Sequence, residues 1–524
     1  MTDRHGPFPG MTLGLLLGIV SQLYPQTESK APFSGPPDSP PPSDHTQVLP
    51  AWDDNPADTL NPLPVAKIAP AGDSTFGIAP FPEALDSNLL RFPYRSEFLS
   101  PKWDSVAQAI AARQAEKNVA SSGPSSGSRA RPAIAGLPGA LNRPVRVLLK
   151  KTANATSLTF YGEFGLAKIA GPQAIPQAMV VAGKAKFSPQ GRDWLIESAA
   201  GTKVIRDCQA VRLSPARMGA YFEIDGIPYR GGVDIQLEPA STQLLVINRL
   251  GMEEYLRGVL PYELGRVDEK TVEALNALAV VARTFAMKRM LQASNRPFDL
   301  YDDVQDQVYK GMKDEYSLSD GAVRNTRGQV LMFADTLAET FYHSTCGGST
   351  ANKQDVWGGS GYPYLVARND RDAQGRPYCS ASPLLHWEQI WSPEELTGIV
   401  RANFSQAKAE GDRNFTAIKN LTVTRRAVCG RIMTLKLDTD RGTVLVHGDK
   451  VRWALKPLRK DGRILESANF EIGLQGRHFV ATGTGFGHGV GLCQFGAMGR
   501  ARAGQGYPDI LSAYFAGTRI VEYR

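Results

Sequence analysis

Val246-Ile-Asn-Arg-Leu-Gly-Met-Glu-Glu-Tyr-Leu-Arg-Gly-Val-Leu-Pro-Tyr-Glu-Leu264 is the run around which this chain is arranged. An apolar strand, Leu244 to Asn248, leads into it. Glu253 to Leu260 has the composition of a short helix, and Pro261 is expected to stop it, because proline disfavours helix in the residue before it. One carboxylate, Glu263, is thereby presented just past a proline and before Gly265. A glutamate there also has a bland reading, as a cap or a solvated surface charge. Thr271 to Leu291 follows at once and is the strongest helix pattern in the chain. Val272, Leu275, Leu278, Ala279, Ala282, Phe285 and Met290 share one broad apolar stripe. At about 100° per residue, Arg283 falls at the edge of that stripe. An arginine there either lies solvated or buries its stem and turns its guanidinium to a cleft.

Upstream, short apolar runs are separated by Gly, Pro and Asn: Val145–Leu149, Ser157–Tyr161, Val211–Leu213, Tyr221–Ile224 and Val233–Leu237. They predict an antiparallel β unit over 141–245. Residues 25–140 are rich in Pro, Ser and Gly and read as a largely disordered linker. Pro36-Pro-Asp-Ser-Pro-Pro-Pro-Ser43 favours extended backbone, and one helix pattern occurs at Trp103–Lys117. Met11 to Tyr24 is apolar but short of the roughly 20 residues of a comfortable membrane span. It suits the hydrophobic region of an export signal. Residues 1–24 are therefore expected to export or anchor the chain and to make it extracytoplasmic, in the cell envelope.

Downstream, 329–343 reads as a strand pair ending at His343, followed by the small-residue loop Ser344–Thr350. A helix at Pro393–Ala407 and the alternating runs Ala417–Val423, Ile432–Leu437 and Thr443–Val446 predict a β-rich subdomain inserted at 389–479. The glycine-rich tail, Gly483–Ala497, holds His488 between Gly487 and Gly489. Helices at Met498–Ala503 and Pro508–Phe515 close the chain. The expected fold class is α+β. A mixed helix and antiparallel β domain occupies 246–388 and 480–524, interrupted by the β-rich subdomain and preceded by the Pro-rich N-terminal region.

The chain has 524 residues, too many for one ordinary domain. Its 59 Lys and Arg against 52 Asp and Glu favour anionic partners: nucleic acid, lipid head groups or an acidic wall polymer. No basic block with interleaved aromatics occurs, so nucleic acid is not an expected partner. The glycine tail breaks the register of the dinucleotide-binding pattern, and no Lys-Ser or Lys-Thr follows to make a phosphate loop. No Gly-x-Ser-x-Gly elbow is present. Alternating glycines instead permit close backbone approach. That suits His488 as a ligand-facing group and equally as a turn histidine. The five cysteines, Cys208, Cys346, Cys379, Cys429 and Cys493, include no Cys-x-x-Cys pair, against zinc-finger and thioredoxin readings. His343, Cys346 and Cys379 could be three zinc ligands, or a cleft histidine beside a Cys346–Cys379 disulfide, or a histidine with two free thiols. A closed zinc site needs four ligands, the fourth is not evident, and no metal or other cofactor is expected.

Seven segments then appear in one order: INRLGMEEYLRGVLPYEL (247–264), EALNALAVVARTFA (273–286), DQVYKGM (306–312), FYHSTCGGSTANKQDVWG (341–358), PYL (363–365), GFGHGVGLCQFGAMGRA (485–501) and DILSAYFAGTRI (509–520). Together they resemble the stage II sporulation protein D family, also called the amidase-enhancer or LytB-like family, over about 143–524. The resemblance implies a peptidoglycan-active protein, the family type being a lytic transglycosylase acting on peptide-stripped MurNAc-GlcNAc strands. It maps the catalytic glutamate onto Glu263 and places Arg283, His343 and His488 at cleft positions, with Tyr309 and Gln494, inside the same segments, as further substrate-facing candidates. Hydrolytic glycosidases use two carboxylates. A lytic transglycosylase uses the muramic acid 6-hydroxyl as internal nucleophile, so one carboxyl serves twice and leaves a 1,6-anhydromuramoyl end. Such an acid needs a raised pKa from an apolar setting, to which Leu260, Tyr262 and Leu264 are expected to contribute. The other reading is a non-catalytic, peptidoglycan-binding enhancer of a cell-wall amidase. The partners implied are glycan strands and such an amidase. The chain departs from the pattern at Asp306, where many relatives have cysteine, and at Leu278, where glutamine is usual. One family member holds zinc through a histidine and two later cysteines; here the position six after His343 is Ser349.

Overall fold

The computed structural model describes residues 143–239, 241–293, 296–457 and 463–523. The apolar run 11–24, the Pro-rich region and the helix pattern at Trp103–Lys117 lie outside the described residues.

The architecture is α+β, as expected. Eleven strands share one sheet: β1 (Val145–Ala153), β2 (Thr156–Ala170), β3 (Gln173–Gln190), β4 (Asp193–Ser198), β5 (Gly201–Ile205), β6 (Ala210–Pro215), β7 (Tyr221–Ile224), β8 (Ile227–Arg230), β9 (Gly232–Leu237), β10 (Gln243–Leu250) and β11 (Leu300–Tyr301). The order is β11-β1-β10-β9-β6-β2-β3-β4-β5, with the β7–β8 hairpin attached to β2. Every pairing is antiparallel except β1 with β11. The continuous apolar run of β10 is explained by cover on both faces. Leu244 and Val246 join the main core, whereas Leu245 and Ile247 pack with Leu148 and Phe298.

Helix α1 (Met252–Glu263) leaves the end of β10. It runs through Pro261 instead of stopping there. The proline sits in the last turn, where its missing N–H forfeits a single ladder bond, and Leu264 N–H closes the turn on Leu260 O at 3.1 Å. Helix α2 (Val272–Gln292) is not a one-stripe amphipathic helix. It is buried almost all round from Ala274 to Thr284, because α1, α3 (Ser317–Asn325) and β12 (Gln329–Phe333) pack around it.

β12 pairs with β13 (Thr336–Leu337) as a hairpin. The chain then forms a separate short strand, β14 (Tyr342–His343), which pairs in parallel with β21 (Leu492–Cys493) near the C-terminus. Between them lies an inserted unit with its own core. It holds β15 (His386–Trp391), α4 (Pro393–Asn403), β16 (Ile418–Arg426), β17 (Ile432–Thr439), β18 (Gly442–His447), β19 (Phe470–Gln475) and β20 (His478–Thr484). Trp391, Ile399, Phe415, Leu435, Leu437 and Phe479 are among the buried residues of that core. After β21 come α5 (Gln494–Arg502), α6 (Tyr507–Tyr514) and β22 (Arg519–Glu522), the last joining β12. No helix among the described residues is long and apolar enough to cross a membrane.

Candidate active site around Glu263

Glu263 is the last residue of α1 and is only 8% exposed. Three segments meet at its carboxyl group. Val308 N–H donates to Oε1 at 3.0 Å. Gln494 Nε2, at the start of α5, donates to the Glu263 backbone carbonyl at 2.7 Å and lies 3.5 Å from Oε2. The Tyr342 hydroxyl of β14 forms the third hydrogen bond. Burial nonetheless dominates, with Leu260 and Leu264 fully buried alongside, and it raises the pKa from 4.5 to about 7. The three hydrogen bonds oppose that rise. The group is therefore an acid poised near neutrality, the property general acid–base chemistry requires.

The orientation of Tyr342 is itself fixed by buried groups. Tyr255 O–H donates to Gln307 Oε1 at 3.1 Å, and Gln307 Nε2 donates to the Tyr342 oxygen at 3.3 Å. With that oxygen already accepting, the hydroxyl proton is left for Glu263. Asp306 holds the segment that carries Val308. It accepts Tyr301 N–H at 2.9 Å and pairs with Arg289 at 3.0 Å. Tyr342 and Gln307 were not among the residues singled out from sequence, although both lie inside the quoted segments.

Of the predicted substrate-facing residues, Gln494 is brought to Glu263. The other four are withdrawn into the protein. Arg283 is 1% exposed. Its guanidinium forms a bidentate pair with Glu253, at 3.0 and 2.6 Å, and donates to the carbonyls of Ala279, Gln329 and Val323. It closes the helix packing and has no donor left for a sugar. Tyr309 is also core: its hydroxyl donates to Asn248 Oδ1 at 2.8 Å, and its ring packs between Tyr229 and Tyr255.

His343 and His488 strap β14 to β21. His343 Nδ1 bonds to Val490 O at 3.2 Å. His488 Nε2 bonds to Tyr342 O at 3.0 Å, and its Nδ1 accepts Val490 N–H at 3.0 Å. Trp357 packs on the His488 ring. Burial drives both pKa values down, His343 to about 3, so both rings are neutral at ordinary pH. Between its glycine neighbours His488 turns inward, not towards a ligand.

The three suggested metal ligands are also regrouped. Cys346 and Cys379 come together, but the third residue beside them is Cys493, from β21, and not His343. Cys493 escapes a spacing argument because it lies 147 residues beyond Cys346; the β14–β21 pairing is what brings it near.

A family model described as stage II sporulation protein matches residues 240–333, and one described as a domain of unknown function matches residues 379–491. An uncharacterised protein of Brachyspira hyodysenteriae is 32% identical over 305 residues, covering 58% of this chain and 74% of the relative. Stage II sporulation protein D of Bacillus subtilis is 28% identical over 344 residues, covering 62% of this chain and 88% of the relative. The amidase enhancer of Bacillus subtilis is 24% identical over 335 residues, covering 57% of this chain and 45% of the relative.

Proposed function

The chain belongs to the stage II sporulation protein D family, and on that premise we propose that it is an extracytoplasmic lytic transglycosylase acting on peptide-stripped peptidoglycan strands. A cell-wall role is what the names of its relatives point to. The observation that carries the finer reading is the Glu263 carboxyl, buried, raised to about 7 and hydrogen-bonded by three separate segments. Protonated Glu263 donates to the oxygen linking MurNAc C1 to GlcNAc, and the C1–O bond breaks. The carboxylate so formed then takes the proton of the MurNAc 6-hydroxyl as that oxygen bonds to C1. Glu263 is left protonated and the strand carries a 1,6-anhydromuramoyl end. No water enters the balance, so one carboxyl suffices where hydrolysis needs two. Tyr342 and Gln494 stabilise the transient carboxylate, and Val308 N–H holds Oε1 in place.

A second reading, a non-catalytic enhancer that binds glycan for a partner amidase, is favoured by one observation. The predicted substrate-facing side chains, Gln494 included, are all buried. The two readings separate by digesting peptide-stripped glycan strands with the full chain and with Glu263→Gln, and examining the ends by mass spectrometry. Anhydromuramoyl ends from the wild type alone are the expected result. Binding without products from either protein sinks the enzyme reading and leaves the enhancer.

A further inference from the structure

Cys346, Cys379 and Cys493 come from three distant parts of the chain: the loop after β14, the turn Tyr378–Ala381, and β21. Their sulfurs all lie within 4.8 Å of one another, and Cys346 Sγ is 3.6 Å from Cys379 Sγ. A tetrahedral zinc with sulfur at about 2.3 Å sets its sulfurs about 3.8 Å apart.

Three buried thiols at this spacing can stay reduced, pair as a disulfide or bind a metal. A disulfide uses two and strands the third; a metal uses all three. The surroundings favour the metal, because backbone N–H groups are aimed at every sulfur. Gly348 N donates to Cys346 at 3.2 Å, and Cys346 N and Gly496 N each donate to Cys493 at 3.2 Å. Gly347 and Gly348 both donate to Cys379. Such donors stabilise thiolates bound to a cation and add little to a neutral disulfide.

A carboxylate lies beside the group, against Cys346. Asp370 is 1% exposed, and its Oδ2 lies 3.2 Å from Cys346 Sγ. Arg500 Nε holds Oδ1 at 2.9 Å, and the Tyr514 hydroxyl contacts both oxygens. The guanidinium offsets part of the negative charge that three thiolates and a carboxylate would leave around a divalent ion.

We infer that Cys346, Cys379 and Cys493 supply three thiolate ligands to a structural zinc ion, with Asp370, beside Cys346, drawn in to the fourth position when the metal binds. It is not a histidine-based set: among the described residues the ligand atoms that converge within 4.8 Å are the three sulfurs, and His343 is not one of the group. The ion would staple the loop after β14 to the start of α5. Gln494, next to Cys493, holds Glu263, so the site stands behind the candidate acid whichever function that acid serves.

The test uses the full chain, purified without chelator or added oxidant. Expected results are about one zinc per chain by elemental analysis, thiolate-to-metal charge-transfer bands after cobalt exchange, and loss of both in Cys493→Ser but not in Cys208→Ser. The inference is overturned if folded wild-type protein carries neither zinc nor the cobalt bands. It is overturned equally if peptide mapping finds a Cys346–Cys379 disulfide in the native chain. These two readouts are taken on the wild type, so they decide the matter even where Cys493→Ser does not fold.

Discussion

Glu263 is pulled in opposite directions, and burial wins, which has consequences in both stability and chemistry. Its folded pKa of about 7 exceeds the ordinary 4.5, so the folded chain keeps a proton that the unfolded chain releases between those values. The stabilisation is complete below pH 4.5 and is lost as pH rises through 7. At about 1.4 kcal/mol per unit, the loss is roughly 3 kcal/mol. Glu263→Gln is therefore expected to gain up to about 3 kcal/mol over wild type at high pH, and much less in acid. Denaturant titrations on both sides of neutrality measure this, and a pH-independent difference would refute a buried neutral acid. The proposed cleavage follows the same proton, so its rate is expected to fall as pH rises through 7. Tyr342→Phe removes a donor that lowers this pKa, which should move the descending limb of the pH–rate profile to higher pH. An unmoved limb means that Tyr342 does not serve Glu263. From the sequence Glu263 was legible because it sits in an ordered set of segments. Tyr342 was not, since a hydroxyl beside a histidine carries no local sign of a partner 79 positions back.

Helix α2 shows how far local periodicity reaches. Its existence and bounds were plain in the apolar spacing of Val272, Leu275 and Leu278, and six strands of the large sheet were plain as short apolar runs, whereas β3, β4, β5, β8 and β11 were not read. What surrounds the helix was not. Helix geometry alone put Arg283 at a stripe edge, but α3 and β12 close over that edge and turn a cleft candidate into a buried clamp on Glu253. Pro261 misled in the other direction, because a proline in a last turn costs only one ladder bond. Arg283→Met is expected to destabilise the fold by about 3 kcal/mol, since it removes the buried partner of a half-buried pair and leaves the carbonyls of Ala279, Val323 and Gln329 without that donor. Glu253→Gln combined with it should cost less than the sum of the two. A double-mutant cycle in denaturant measures the coupling. An unchanged KM for glycan with lowered stability identifies the clamp, whereas a raised KM at unchanged stability would restore a substrate role.

Across the whole molecule, the closures that make the site lay outside any local pattern. Gln494 meets Glu263 across 231 positions, and β14 finds β21 across an entire inserted unit. That unit is closed at its neck, where Gly485 N–H donates to Leu385 O at 3.0 Å and β15 pairs with β20 along its length. Its core is separate, yet it is not a bystander. Arg431, at the edge of β17, reaches out so that Nη1 donates to Gly487 O at 3.2 Å. The guanidinium lies against Gly489, where a Cβ would come within 2.5 Å of Arg431 Nε. Gly489 also has φ +83°, which a larger residue adopts only with strain. Gly489 is thus explained as room for an arginine from the insertion, next to the strand that carries Cys493 and leads to Gln494, whereas Gly485, Gly487 and Gly491 lie against Thr345 O, His343 Cβ and Phe341 O. Gly489→Ala is expected to cost about 2–3 kcal/mol, part from the backbone and part from the clash. Truncating the arginine removes only the second part. Gly489→Ala in an Arg431→Ala background should therefore cost measurably less than in the wild type, while the backbone share persists. Equilibrium urea unfolding of the four chains reads this coupling. Strict additivity would mean that the insertion does not brace the tail, and that the glycine is required by its backbone alone.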